Sequence, residues 1–284
     1  MRLAAYDLSG NAGHETAVAS LAAGLTQGVA KNSKIVPIRI YDCYGVSTSE
    51  NWNFAFDWIM SPSNRYFSLT APAVVNLSGS MATCDPDLTY FENEVNSMVG
   101  HPYGSGGCQL PSSGQWPGIP VVVAAGNFGT SQPFLSPARM AFSNTSFGTC
   151  GHVISAGATD RGDQRWQCTT QEAGACARIT ACNDTYVTTT PASNFGPTVD
   201  IYAPGANVTP ATQTGTADYV TQPFRKSGTS YASPIVAGVI ARLMQAEGAK
   251  TCDQAWQRVQ ETATNVIDWD PKANGLPKPL VNRR

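Results

Sequence analysis

The run Gly228-Thr229-Ser230-Tyr231-Ala232-Ser233-Pro234 leads directly into Ile235-Val236-Ala237-Gly238-Val239-Ile240-Ala241. Ile235, Val236, Val239, Ile240, Leu243 and Met244 recur at helical spacing, and Gly248 supplies a stop signal. Ala232, Ala237, Gly238 and Ala241 are small enough for neighbouring backbone to approach, so the spacing predicts a central, buried helix. Ser230 then stands at the helix start, among unpaired backbone N–H groups and the positive end of the helix dipole, where a developing oxyanion is stabilised. A purely structural alternative exists, because serine and threonine are favoured helix caps whatever else they do.

Outward from this helix, apolar periodicity predicts a helix from about His14, strands near 34–41 and 73–77, and helices near 51–59 and 89–98. A strand over 119–125 runs up to Asn127, strands near 152–158 and 199–202 precede the serine run, and a last helix covers 252–262. Strands alternating with helices predict an α/β fold, a three-layer α/β/α arrangement around a mostly parallel sheet. At 284 residues the chain can form a single domain, 1–284, in which the Gly- and Ser-rich stretch 102–118 and the Thr-rich stretch 168–191 read as surface insertions pinned by cysteines.

Composition narrows the function. Charged residues make up 13% and the formal net charge is -2, which gives no basic footprint for nucleic acid. No apolar stretch approaches the roughly twenty residues needed to span a membrane. The eight cysteines, Cys43, Cys84, Cys108, Cys150, Cys168, Cys176, Cys182 and Cys252, suggest an oxidising compartment. A zinc site is the rival reading, but no C-x-x-C pair occurs and no histidine neighbours the loop cysteines, so no metal ligands are assigned. Sequons at Asn76, Asn144, Asn183 and Asn207 are compatible with secretion, although Asn76 falls within an expected strand. The opening Met1-Arg2-Leu3-Ala4-Ala5-Tyr6-Asp7 lacks the apolar core of a signal peptide, so the expectation is a secreted parent protein of which this chain is a part.

A serine hydroxyl is a weak nucleophile at neutral pH and needs a base to take its proton. Three histidines are available: His101 precedes Pro102 in a Gly-rich stretch, His152 enters an apolar strand, and His14 sits in Gly13-His14-Glu15-Thr16-Ala17. Asn127 ends Val121-Val122-Val123-Ala124-Ala125-Gly126-Asn127, where its amide can serve either as an oxyanion donor or as an ordinary turn residue.

Taken together, these three segments resemble the subtilisin-like serine protease family (subtilases), whose pattern is a GHGT-type histidine segment, an AAGN-type asparagine segment and a GTSMASP-type serine segment. Fainter echoes lie in 27–41 (QGVAKNSKIVPIRIY), in Val74-Val75-Asn76-Leu77-Ser78 and in 193–205 (SNFGPTVDIYAPG), so the likeness runs through nearly the whole chain. It implies a secreted serine endopeptidase with Ser230 as nucleophile, His14 as general base and Asn127 as oxyanion donor. An extended peptide substrate would lie along Ser78, Gly79 and Ser80 and along Ala125 and Gly126. A structural calcium ion is possible by the same resemblance, and nothing in the residues marks a site for it. Chain order separates this reading from the α/β-hydrolases, which run Ser, acid, His around a G-x-S-x-G elbow, whereas His14 precedes Ser230 and Ala232 stands where the second glycine would be. A chymotrypsin-like barrel is excluded by the α/β alternation.

Two departures from the pattern matter. The family's acid lies on a strand roughly thirty residues ahead of its histidine, and the one acid upstream of His14, Asp7, sits in the equivalent of the loop before the histidine helix. The expectation is therefore that the acid comes from outside this chain, and that a missing N-terminal segment or prosegment is a partner. Removal of the acid alone costs this family about 3 × 10⁴ in kcat, roughly 6 kcal/mol, which would leave the isolated chain weakly active. The second departure is Glu15, in place of the usual glycine, which can crowd the substrate backbone or stabilise a protonated imidazole. Both departures leave open a second function, a non-catalytic relative that binds peptides without turning them over. At Ser78-Gly79-Ser80 the family more often has S-L-G-G, so subsite preference is not carried over.

Overall fold

A computed structural model describes residues 13–41, 47–61, 73–82, 88–99, 118–131, 135–143, 153–168, 191–211, 226–247, 252–263, 265–267 and 278–280. The insertions expected at 102–118 and 168–191, the sequons at Asn144 and Asn183, His101, His152, Gly248 and Asp7 lie outside these residues or at their edges.

The sheet is built from β1 (Val75–Leu77), β3 (Val121–Ala124), β5 (Val153–Thr159), β6 (Ile201–Pro204), β7 (Asn265–Ile267) and β8 (Lys278–Leu280), in the order β1-β3-β5-β6-β8-β7. All neighbours are parallel except β7 and β8. A separate antiparallel pair joins β2 (Met81–Ala82) to β4 (Leu135–Ser136). Strand alternation divides the core into two layers. Val75, Leu77, Val121, Val123 and Val153 pack towards α2 (Ser49–Met60) and α3 (Leu88–Val99), where Trp52, Phe56 and Phe91 form an aromatic cluster with ring centroids 5.5 to 6.1 Å apart. Val74, Val122, Ile154, Ala156, Ile201 and Ala203 pack the other way, against Val236, Ala237 and Ile240 of α5 (Thr229–Glu247) and Ala255 and Val259 of α6 (Cys252–Thr262). Helices thus cover both faces of a mostly parallel sheet, which requires its strands to be apolar on both sides. The central β3 and β5 are buried at every residue.

Helix α5 is the spine expected from its sequence. It lies against α1 (His14–Ala23), and Gly238 makes that approach possible: a Cβ there would meet Val29 Cβ at 2.8 Å and the carbonyl oxygen of Ala22 at 2.9 Å. The short α4 (Met140–Ser143) leads away from β4.

The expected strand at 34–41 is not one. Its period-2 pattern is present, with Ile40 buried, Val36 and Ile38 packed on the α2–α3 core, and Lys34, Ile35, Pro37 and Arg39 exposed. Among the described residues, however, the segment pairs with no strand. Alternation reports which side faces the core, while a strand also needs a ladder partner. The sequon at Asn76 is ruled out as a glycan site in the folded protein, since Asn76 lies on β1 and is only 3% exposed.

Between α2 and α3, burial and then the like charge of Asp57 hold the Glu94 carboxyl above the ordinary carboxylate range, opposed by a hydrogen bond from Tyr90. A carboxyl raised in the folded state binds more protons there than in the unfolded chain, so its contribution to stability is lost as pH rises through that window. Glu94→Gln should therefore stabilise the protein slightly at pH 7, and the gain should be lost on acidification through the carboxylate range. Denaturant melts at pH 7 and at acid pH check it.

Candidate active site

The site forms where the start of α5 meets the ends of β1 and β3 and the start of α1. Pro234 lies inside α5 and has no N–H to give the carbonyl of Ser230, four residues earlier. Ser78 Oγ donates to that carbonyl instead, at 2.9 Å. Having used its one proton, Ser78 Oγ accepts from Asn76 Nδ2 at 2.9 Å, and Ser233 Oγ lies 3.0 Å away as a second donor. The helix-interior proline, costly elsewhere, thus opens a carbonyl through which the end of β1 is fastened to the serine helix. Ser230 is the second residue of α5 and does not cap it; its hydroxyl donates to the Ser78 backbone carbonyl at 3.1 Å.

Asn127 is clamped from the same helix. Its Oδ1 accepts from the Thr229 backbone N–H at 2.8 Å and from Thr229 Oγ1 at 2.9 Å. A backbone N–H can only donate, which fixes the amide with oxygen towards Thr229 and nitrogen away from it. A Cβ on Gly228 would lie 3.3 Å from Asn127 Nδ2, so the amide nitrogen sits beside the backbone entering Ser230. Among the described residues neither Nδ2 nor the Ser230 backbone N–H has a hydrogen-bond partner. Two donors are therefore left near one position, at the positive end of α5.

His14 opens α1 immediately after Gly13, whose φ of 84 lies in the left-handed region that glycine alone enters readily. Its ring meets Tyr231 edge to face, with centroids 5.5 Å apart and planes at 61°. Nδ1 faces Glu15 Oε1 at 3.2 Å, with His14 24% and Glu15 only 7% exposed. Among the described residues no hydrogen bond joins His14 to Ser230.

The structure thus brings Ser230, His14, Asn127 and Ser78 together. The residues expected along the substrate divide. Gly79 is half-buried and Ser80 exposed, free to face a ligand, whereas the Ser78 side chain is spent on internal bonds. Ala125 and Gly126 are buried and fully engaged: Ala125 donates to Ala156 O and accepts from Asn194 Nδ2, while Gly126 donates to Thr229 Oγ1 and accepts from the Asn194 backbone N–H. These bonds fix the loop that leads from β3 into Asn127. Two further residues build the site without standing out in the sequence: Thr229, which holds both Asn127 and Gly126, and Asn194, whose Oδ1 accepts from Phe128 and Thr130. Thr229 is within reach as the neighbour of Ser230; Asn194 lies in the fainter family echo at 193–205, with nothing in its own periodicity to mark it. A cavity of 980 Å³ between α1, α5 and α6, lined by Leu21, Ile235 and Val259, includes none of the clustered residues.

A serine, a histidine and an asparagine thus converge on one helix start at the edge of a mostly parallel α/β/α sheet. The model for the subtilase family, Peptidase_S8, matches residues 3–278, and the chain belongs to that family. The extracellular serine proteinase of Thermus sp. (strain Rt41A) is 30% identical over 257 residues, 90% of this chain and 47% of that protein. Subtilisin-like protease 12 of Arthroderma benhamiae is 30% identical over 276 residues, 95% of this chain and 54% of that protein. The chain spans about half the length of the curated relatives it matches. A crystal structure of a cold adapted subtilisin-like serine proteinase superposes with a TM-score of 0.64 at 24% identity, covering 98% of this chain and 80% of that one, which shows the shared fold.

Proposed function

We propose that this chain is a subtilisin-type serine endopeptidase acting through an acyl-enzyme on Ser230. The observation that carries the reading is the clamped amide of Asn127, whose nitrogen is left unpaired beside the equally unpaired N–H of Ser230. Ser230 Oγ attacks the scissile carbonyl carbon and its proton passes to His14 Nε2. The carbonyl oxygen, now negative, accepts from Asn127 Nδ2 and Ser230 N–H. Collapse breaks the C–N bond as His14 returns the proton to the leaving amine, and water then hydrolyses the ester by the same route. The hydroxyl must first turn from Ser78 O to His14, a rotation in keeping with the loose hydrogen bonds of substrate-free active sites.

The substrate of this reading is an extended polypeptide lying past Gly79 and Ser80. Cys168 is disulfide-bonded, which supports an oxidising, extracellular setting. Among the described residues no helix is long and apolar enough to cross a membrane.

A second reading, peptide binding without turnover, is favoured by the bond from Ser230 Oγ to Ser78 O in place of one to His14. A fluorophosphonate probe separates the two. The expected result is a covalent adduct that peptide mapping places on Ser230, forming slowly. Absence of any adduct at Ser230 after prolonged exposure would leave the binding module standing.

A further inference from the structure

We propose that Arg161-Gly162-Asp163, at the tip of the loop that follows β5, is a recognition site for a cell-surface receptor that holds a divalent cation in its binding face. Such a site goes beyond the peptidase reading and stands or falls without it. The loop is closed from within. Thr159 pairs antiparallel with Arg165, and the Asp160 N–H donates to Gln164 O at 2.8 Å. Asp160 Oδ1 accepts from the N–H groups of Gly162 at 2.8 Å and Gln164 at 3.0 Å, and the Asp163 N–H donates to Asp160 O at 3.3 Å. Asp160 thereby spends its side chain on the loop. Arg161 and Asp163 do not: among the described residues neither side chain has a hydrogen bond or ion pair, and Arg161, Gly162 and Asp163 are all exposed.

The residues at the tip depart from what their backbone asks for. Asp163 has a φ of 57, in the left-handed region where glycine is the unstrained choice. Gly162, one step earlier, has no such φ, and a Cβ there would meet nothing closer than 3.4 Å, an ordinary contact. Glycine therefore stands where folding does not need it, and a carboxylate stands where folding would take glycine. A loop built only to be solvated needs charge but not this order; departures from local rules are expected where residues serve a partner. The order supplies the parts of one contact. A carboxylate at a loop tip is the hard oxygen ligand that completes the shell of a receptor-held Ca²⁺ or Mg²⁺. The guanidinium two residues earlier forms a bidentate pair with a carboxylate beside that cation. Between them, a residue without a side chain lets the receptor surface close on the backbone. The internal hydrogen bonds hold the loop before contact, which leaves little ordering to be done on binding. Among the described residues no hydrogen bond joins 160–164 to Ser230, His14 or Asn127, so the loop can be altered without touching that cluster.

The test uses an immobilised integrin ectodomain of the kind that binds Arg-Gly-Asp peptides, in buffered Mg²⁺, with the Ser230→Ala chain in solution so that no receptor is hydrolysed. The expected result is saturable binding that a soluble Arg-Gly-Asp-Ser peptide displaces and an Arg-Gly-Glu-Ser peptide does not. Arg161→Ala, Gly162→Ala and Asp163→Asn, folded by circular dichroism, should each weaken binding by about tenfold or more. Asp163→Gly should lose binding while holding or raising the thermal midpoint, since glycine relieves the left-handed residue. Absence of saturable binding, or binding that Asp163→Asn or the Arg-Gly-Asp-Ser peptide leaves unchanged, overturns the proposal. A midpoint lowered by Asp163→Gly does so too, by making Asp163 a residue kept for the fold. Fluorophosphonate labelling of chains that retain Ser230 scores the peptidase reading separately: its loss sinks that reading and leaves the receptor result standing.

Discussion

Ser230→Ala should reduce peptide hydrolysis to the level of the oxyanion hole and binding alone, and His14→Ala and the double substitution should reach the same floor. In subtilisin itself the loss at either position is about 2 × 10⁶ in kcat from an intact triad; from a start in which the acid's share of about 3 × 10⁴ is already missing, the expected further fall is about 70-fold. The equality of the three variants is the sharper prediction. Once Ser230 is gone, His14 has no proton to accept, and once His14 is gone, the hydroxyl stays protonated and hydrogen-bonded to Ser78 O, so the second removal costs nothing more. Asn127 behaves differently because it acts on the oxyanion and not on the proton. Progress curves on an extended peptide, normalised to folded protein, decide the matter. Retention of a tenth or more of the parent rate by Ser230→Ala would place the nucleophile elsewhere.

What is legible in the sequence is local. The serine helix, its length and the two helices α2 and α3 follow from periodicities contained in a dozen residues, and the segments around His14, Asn127 and Ser230 announce themselves by residue type and order. Their convergence is visible only in the fold, because it depends on β1 and β3 lying side by side with parallel register, Val75 opposite Val121. The segment 34–41 shows the limit from the other direction: its alternation marks the buried side correctly, yet pairing is a long-range property that alternation does not encode. β7 and β8 are illegible because three residues each, one strand containing Pro279, leave no periodicity to count. Asn194 is the clearest case within the site. It reaches across more than sixty residues to hold the loop from Ala125 to Thr130, by hydrogen bonds that impose no pattern on its own neighbourhood. Glu15 is conspicuous as a departure from the family, but whether its carboxylate faces substrate or imidazole depends on a side-chain direction that only the folded structure gives.

Gly238→Val should destabilise the protein by about 3 kcal/mol, lowering the thermal midpoint by about 6 to 12 °C for a chain of this size. The new Cβ would approach Val29 Cβ at 2.8 Å and the Ala22 carbonyl at 2.9 Å, and neither can yield cheaply: the carbonyl is backbone, and Val29 follows the turn that binds back to α1 through Val29 N to Leu21 O. Exchanging glycine for a residue with higher helix propensity recovers less than about 1 kcal/mol, so the clash wins. Gln245→Val, on the exposed side of the same helix, supplies the control and should change stability by no more than about 0.5 kcal/mol. The effect should also reach the chemistry. α1 carries His14 and α5 carries Ser230, so pushing the two helices apart separates these two side chains even in molecules that remain folded. Labelling at Ser230, measured well below the lowered midpoint, should therefore slow as well. A midpoint within about 2 °C of the parent would mean that the helices have room to spare, and that the small residues of α5 are not what sets the distance between His14 and Ser230.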